Sequence, residues 1–247
     1  MSYDDIRRDV WEALRKVAVP DSRFHFNFGE FIPDFQGSER ALGRLLSEHS
    51  YLEAKFIFIA PDNCLERLRA IALSEGKALI VPTYSIKRGF VYLDPKTIPS
   101  GKEEYAALLD AMEGVGQHVS LKEIQDLGPV DLMVSGASVV NREGVRLGKG
   151  HGFFDLEWAM FYAIGAANLE TPVVAFVHSC QVVDMPINSS PYDTVCDIIV
   201  TNKETIRVSS PQKPTCGVIW ERLNPELFQT IPPLQELKSM QEKGGEA

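Results

Sequence analysis

The segment Arg146-Leu-Gly-Lys-Gly-His-Gly-Phe-Phe-Asp155 places glycines at 148, 150 and 152 directly before a run whose apolar positions, Leu156, Ala159, Met160, Ala163 and Ile164, fall at helical spacing. Alternating glycines let successive backbone N–H groups approach an anion closely. The N-terminus of a following helix adds about half a positive charge, so the pattern favours a bound phosphate. Arg146 and Lys149 bring two cations to the same place. A flexible surface turn is the competing reading. A strand before the loop, a helix after it and the flanking cations favour the phosphate.

Within this loop, Lys149 and His151 are the candidate catalytic side chains. Lys149 is a mobile ammonium, and the imidazole of His151 changes charge near neutral pH and can act as an acid or donate to a phosphate. Phe153 and Phe154 are candidates for stacking on a planar ring, or for anchoring the helix in the core. Asp155 would cap the helix, or hold Mg²⁺ beside a polyphosphate. Further on, Asp184 and Asp193 follow apolar runs that read as strands, and carboxylates beyond strand ends are where ligands gather in open α/β sheets.

To present that loop, the chain must build a sheet. Residues 54–60 read as a buried strand, 63–75 as a helix and 78–81 as a second strand, a βαβ rhythm. Residues 90–93, 130–134, 173–177 and 198–201 are further short apolar runs, with helical stretches near 105–109 and 156–167. The expected fold is a three-layer α/β domain, an open and mostly parallel sheet with helices on both faces. At the N-terminus, Ile6, Val10, Leu14 and Val17 predict an amphipathic helix over 4–17 with Arg7, Arg8 and Arg15 exposed. Residues 21–37 predict an ordered aromatic loop, and Ser38 opens a helix through Leu46. Residues 1–50 are thus expected to pack on a single domain spanning 1–247, and the polar tail 235–247 to be disordered.

Bulk composition narrows the partners. With 45% hydrophobic and 24% charged residues the chain should fold, and its net charge of −9 opposes polyanions. No basic face suggests nucleic acid. Cys64, Cys180, Cys196 and Cys216 are scattered singly and read as reduced thiols, and no apolar run approaches the roughly 20 residues of a membrane span. The expectation is a cytoplasmic protein, a monomer or small homo-oligomer, acting on a small molecule.

Together these segments resemble the 5-formyltetrahydrofolate cyclo-ligase (methenyltetrahydrofolate synthetase) family. The match runs from Ile6-Arg7 through Gly76-Lys-Ala-Leu-Ile-Val-Pro82 and the glycine loop to Gln181-Val-Val-Asp184 and Tyr192-Asp193. The resemblance implies a reaction dependent on ATP and Mg²⁺, in which the formyl oxygen is phosphorylated and the second folate nitrogen closes the ring. In this reading Arg7, Arg146, Gly148, Lys149, Gly150, His151, Gly152 and Phe153 hold the nucleotide. Phe153, Phe154, Gln181 and Asp184 meet the reduced folate or pterin, and Asp155 and Asp193 hold the metal.

The family's N-terminal Lys falls on Tyr3, its Arg after Tyr-Tyr-Asp falls on Leu156, and its folate-holding Glu has no counterpart in residues 61–65. The long insert Phe24 to Gly37, Asp155-Leu-Glu-Trp158 and Lys213-Pro-Thr-Cys-Gly217 resemble a divergent branch of the family that includes archaeal homologues and methenyltetrahydrofolate synthetase domain-containing proteins. Loss of those cations keeps a second reading open, a nucleotide- or pterin-binding homologue without turnover. A phosphosugar isomerase or CoA transferase reading lacks a distinctive catalytic Glu motif.

Gly150→Val is expected to abolish nucleotide binding and to leave the fold intact, because a branched side chain blocks the approach of the loop backbone to phosphate. Calorimetry with Mg²⁺-ATP checks this; parental affinity in the folded variant would make the loop a turn.

Overall fold

A computed structural model describes residues 2–244. Its strands are β1 (Phe56–Ile59), β2 (Ala78–Pro82), β3 (Phe90–Leu93), β4 (Gln117–Val119), β5 (Leu132–Ser135), β6 (Val139–Asn141), β7 (Arg146–Leu147), β8 (Val173–Phe176), β9 (Val182–Val183), β10 (Ile198–Val200) and β11 (Thr205–Arg207). The helices are α1 (Tyr3–Leu14), α2 (Ser38–Leu46), α3 (His49–Glu53), α4 (Glu66–Ser74), α5 (Glu103–Ala107), α6 (Met112–Val115), α7 (Leu121–Leu127), α8 (Phe153–Ala163), α9 (Pro225–Thr230) and α10 (Pro232–Gly244). None is long and apolar enough to cross a membrane.

Eight strands form the main sheet in the order β11-β10-β8-β5-β1-β2-β3-β4. β10, β8, β5, β1 and β2 run parallel, and antiparallel strands close both sides. Helices surround this sheet, as the βαβ rhythm predicts. Both faces are covered, so the central strands carry continuous apolar residues: Ile57, Phe58 and Ile59 of β1 are fully buried. From β1 the chain moves outward through β2, then returns to β5 on the other side of β1. Ligands in such sheets bind where the winding reverses, beyond the carboxyl ends of the strands. Here that point lies between the loops that follow β1 and β5.

A second, three-stranded sheet, β7-β6-β9, carries the glycine loop on β7. α1 begins with a capping box between Ser2 and Asp5, and its Ile6 and Val10 pack on Val139 and Leu147 of this small sheet and on Val145 just before β7. Leu14 packs with Phe28 and Phe31 of the aromatic loop. Two expectations fail here. α1 stops at Leu14, short of Val17, and Arg7 is 8% exposed because the helix face beside Ile6 lies against the glycine loop.

The tail also departs from the sequence reading. Residues from Gln235 to Gly244 continue α10, and of this tail 245–247 lie outside the described residues. Leu234 and Leu237 are buried in the main core, with Met240 packed against it, an apolar stripe at helical spacing within a polar segment. Glu236 adds a specific bond, since its carboxylate accepts the N–H groups of Leu121 and Lys122 at the start of α7, at 2.9 and 3.1 Å.

Leu237→Ala is expected to lower stability by about 2–5 kcal/mol, the range for emptying a buried leucine site. Denaturant unfolding checks this; an unchanged midpoint would mean that α10 contributes nothing to the core.

Candidate functional site

A cleft of about 260 Å³ opens at the winding reversal, lined by α1, the loops after β1 and β5, the glycine loop, the start of α8 and residues 190–193. Gly150 and Gly152 have φ of +111° and +70°, a region that disfavours side chains. α8 begins at Phe153, so Asp155 lies in its first turn. Gly152 caps this helix without a side-chain partner. Among the described residues, the backbone N–H groups of 149–154 donate to no protein acceptor. This row of unspent donors at a helix N-terminus is an anion site by construction.

The cations around it are held by carbonyl oxygens and aromatic faces. Arg7 donates from Nε to the Gly148 oxygen at 2.8 Å and pairs with Asp4 at 2.7 Å. Arg146 is also 8% exposed; it donates to the Gly136 oxygen at 3.2 Å, lies 4.5 Å above the Phe154 ring, and its Nε–H has no partner. Lys149 donates to the Glu30 oxygen at 3.0 Å and sits 5.4 Å from the Tyr84 ring centre. His151 Nε2 lies 3.3 Å from the Gly29 oxygen. Lys149 and His151 therefore tie the glycine loop to the aromatic loop.

The acids differ in how they are held. Asp155 accepts the Thr194 N–H at 2.8 Å and stands 3.8 Å from Arg146; Asp193 accepts the Ser190 N–H at 2.7 Å. Burial raises the Asp155 carboxyl above its ordinary range and neighbouring Asp193 adds to this, against Arg146 and the Thr194 bond. Glu157, on α8, is 3% exposed yet lines the cleft. Burial pushes its carboxyl well above the ordinary value near 4.5, with Asp62 and Asp155 adding and Arg146 and Lys149 opposing. Among the described residues no group of three or more His, Cys, Asp and Glu side chains is arranged to hold a metal.

Arg7, Arg146, the glycine loop, Phe153, Phe154, Asp155 and Asp193 thus meet in one cleft, and two predicted site residues do not. Gln181 is 2% exposed and bonded to the main chain on both sides: it donates to Ala137 and accepts the His178 N–H at 2.7 Å. Asp184 projects from the surface, its side chain 87% exposed, and pairs with Arg142 at 2.8 Å. The reason is topological. β9 pairs with β6 in the small sheet, which carries Asp184 away from the main sheet's carboxyl edge. Phe154 is mainly a core anchor, 5% exposed, edge-on to Phe58 and covered by Arg146, which leaves Phe153 as the partly exposed ring of the pair. Asp62, Tyr84 and Glu157 line the cleft without having been singled out in sequence. Glu157 carried a signal, a carboxylate on the same face of α8 as buried Phe154, Trp158 and Phe161.

The 5-formyltetrahydrofolate cyclo-ligase family model matches residues 2–202. The chain belongs to this family. Human methenyltetrahydrofolate synthase domain-containing protein is 30% identical over 247 residues, 99% of this chain and 63% of the relative. The zebrafish (Danio rerio) protein of the same description is 29% identical over 243 residues, 98% of this chain and 63% of the relative. This cyclo-ligase family member therefore spans less than two-thirds of these curated relatives. The NMR structure of Aquifex aeolicus 5,10-methenyltetrahydrofolate synthetase superposes with a TM-score of 0.55 at 19% identity, over 85% of this chain and 94% of that one, so the fold is shared.

Glu157 gives a stability prediction. A carboxyl with a raised value in the folded state stabilises the fold only below its unfolded value, and this contribution is lost as pH rises through the raised one. Glu157→Gln is therefore expected to match the parent's urea midpoint at about pH 4 and to exceed it at about pH 7. Equal midpoints at the higher pH would mean that solvent, not burial, sets this carboxyl.

Proposed function

We propose that the protein is an ATP- and Mg²⁺-dependent ligase that converts 5-formyltetrahydrofolate, or a related formylated pterin, to the methenyl form with release of ADP and phosphate. The observation that carries this reading is the row of unpartnered N–H groups at 149–154 with Arg7, Arg146 and Lys149 around it. Such a row suits the oxygens of a polyphosphate, which accept several N–H bonds at once. Arg7 and Arg146 fix one side of the phosphate chain. Lys149, released from the Glu30 carbonyl, follows the charge that develops during transfer, and His151 donates beside it. A positioned cation of this kind is worth several kcal/mol in phosphoryl transfer. Phe153 and Tyr84 offer aromatic faces to the planar ring.

Asp155 and Asp193 fit a divalent ion. Each spends one oxygen on a backbone N–H and keeps the other, and a divalent cation held by them would offset the burial and the Asp193 charge that raise Asp155. Mg²⁺ held by these two carboxylates would neutralise charge on the phosphate oxygens. The same reading has the chain acting as one domain in the cytoplasm, as a monomer or small homo-oligomer without nucleic-acid or membrane partners. The charge of −9 opposes a polyanionic partner.

A second reading, binding without turnover, draws on two positions. Tyr3 stands at the cleft where the resemblance places a Lys, and Leu156 packs against the core where it places an Arg.

Incubating a panel of reduced folates and formylated pterins with Mg²⁺-ATP and following ADP release separates these. Turnover with a formylated substrate is expected; binding without ADP supports the second reading; no nucleotide binding at about 1 mM overturns both. In the same assay Asp155→Asn and Asp193→Asn should each weaken nucleotide binding with Mg²⁺ and leave it unchanged in EDTA. A Mg²⁺ dependence that survives in both would return these aspartates to cap and turn.

A further inference from the structure

Glu157 differs from every other carboxylate that lines the cleft. Asp62 accepts the Gly136 N–H, Asp155 that of Thr194, Asp193 that of Ser190, and Glu30 accepts the Tyr84 hydroxyl. Glu157 is the most deeply buried of them, at 3% exposure, and among the described residues it accepts no hydrogen bond. Of the nearby cations, Arg146 donates to the Gly136 oxygen and Lys149 to the Glu30 oxygen, and neither donates to Glu157. Its carboxylate oxygens are not sealed in the core but open on the cleft, so the donor that the protein does not supply is one that a ligand in the cleft can.

The position of Glu157 limits what that ligand is. It sits on α8 beyond the anion-binding first turn, next to Asp62 at the winding reversal, and so addresses a part of the ligand other than phosphate. Two carboxylate oxygens are best met by two parallel N–H groups. Tyr84, stacked on Phe24 at 5.8 Å, and Phe153 border the same cleft and favour a flat ring. A flat ring with adjacent N–H donors is a 2-amino-4-oxo pyrimidine edge, in which a ring N–H lies beside an exocyclic amine.

We propose that Glu157, with Asp62 beside it, is the specificity determinant that reads the 2-amino-4-oxo edge of a pteridine in this cleft. This rests on the pterin reading above and adds the residue that selects the ring. It also answers a departure noted in the sequence, because the carboxylate is supplied by α8 and not from residues 61–65 by a glutamate after β1.

The test compares two fluorescent probes, 6-methylpterin and 6-methyllumazine. Lumazine replaces the amine with a carbonyl, so its N–H lies between two oxygens that repel a carboxylate. The parent should bind the pterin at least about tenfold more tightly, since a site built for a donor rejects an analogue lacking it. Glu157→Gln offers one acceptor and one donor, which suits lumazine, and should reverse the preference. Glu157→Asp keeps the charge on a shorter arm; it should weaken pterin binding without favouring lumazine. Asp184→Asn, outside the cleft, should change nothing. ATP affinity should be parental in all three variants. Equal affinity of the parent for both probes, absence of binding to either, or an unchanged preference in Glu157→Gln overturns the inference. ADP release driven by formylated substrate, measured separately, keeps the proposed activity standing if only the ring assignment fails.

Discussion

Asp62 accepts the Gly136 N–H at 2.8 Å, and through that bond the loops after β1 and β5 meet where the sheet reverses its winding. The approach is close enough that a Cβ on Gly136 would stand 2.7 Å from a methyl group of Ile32 and 3.0 Å from the Asp62 carboxylate. Below the contact, the Arg69 guanidinium is 1% exposed and donates to the oxygens of Ala60, Asp62 and Ala107 at 2.9, 3.2 and 2.8 Å. Burial lowers Arg69 to about 10, which still leaves it charged at neutral pH. This buried cation has carbonyls for partners, so its positive charge fixes loop geometry and leaves the cleft's own acids and bases to the ligand.

The chain carries a net charge of −9 and still builds a site for anions. It does so with short-range devices. Backbone N–H groups and a helix N-terminus act over one turn, while most of the protein's net charge is dispersed over solvated surface where salt screens it. Arg7 and Arg146 are shielded from solvent, and their fields are correspondingly less screened inside the cleft. Carboxylates at 62, 155, 157 and 193 interleave with these cations. The result is a polar cleft with distinct ends, not a uniformly basic one.

Much of this was legible in the sequence because it depends on local pattern. The glycine spacing at 148, 150 and 152 and the helix after it are short-range, and the apolar runs of β1, β2, β5, β8 and β10 need no tertiary information to read as buried strands. What was misread depends on pairing. Gln181 and Asp184 follow β8 as site residues of an open sheet should, but a two-residue strand diverts them into the small sheet, and no propensity announces so short a pairing. Arg7 looked like a solvated charge on an amphipathic helix; its burial is decided by a loop far along the chain. The tail looked polar by composition, and its stripe of Leu234, Leu237 and Met240 shows only when read at helical period. Glu157 was hidden by context, since a charge within an apolar helix is informative only once the helix is known to be enclosed.

The bond from Arg7 to Gly148 spans 141 residues of sequence. The strands on which Ile6 and Val10 rest, β6 and β7, follow α1 by more than a hundred residues, so during synthesis that part of its apolar face is made well before its partner. The Arg7 wall of the cleft therefore closes only once both ends of this span have met. Contacts of such long sequence separation slow folding. They also mean that a nascent or truncated chain lacking the small sheet holds every residue of α1 but only its Leu14 contact with the aromatic loop as anchorage.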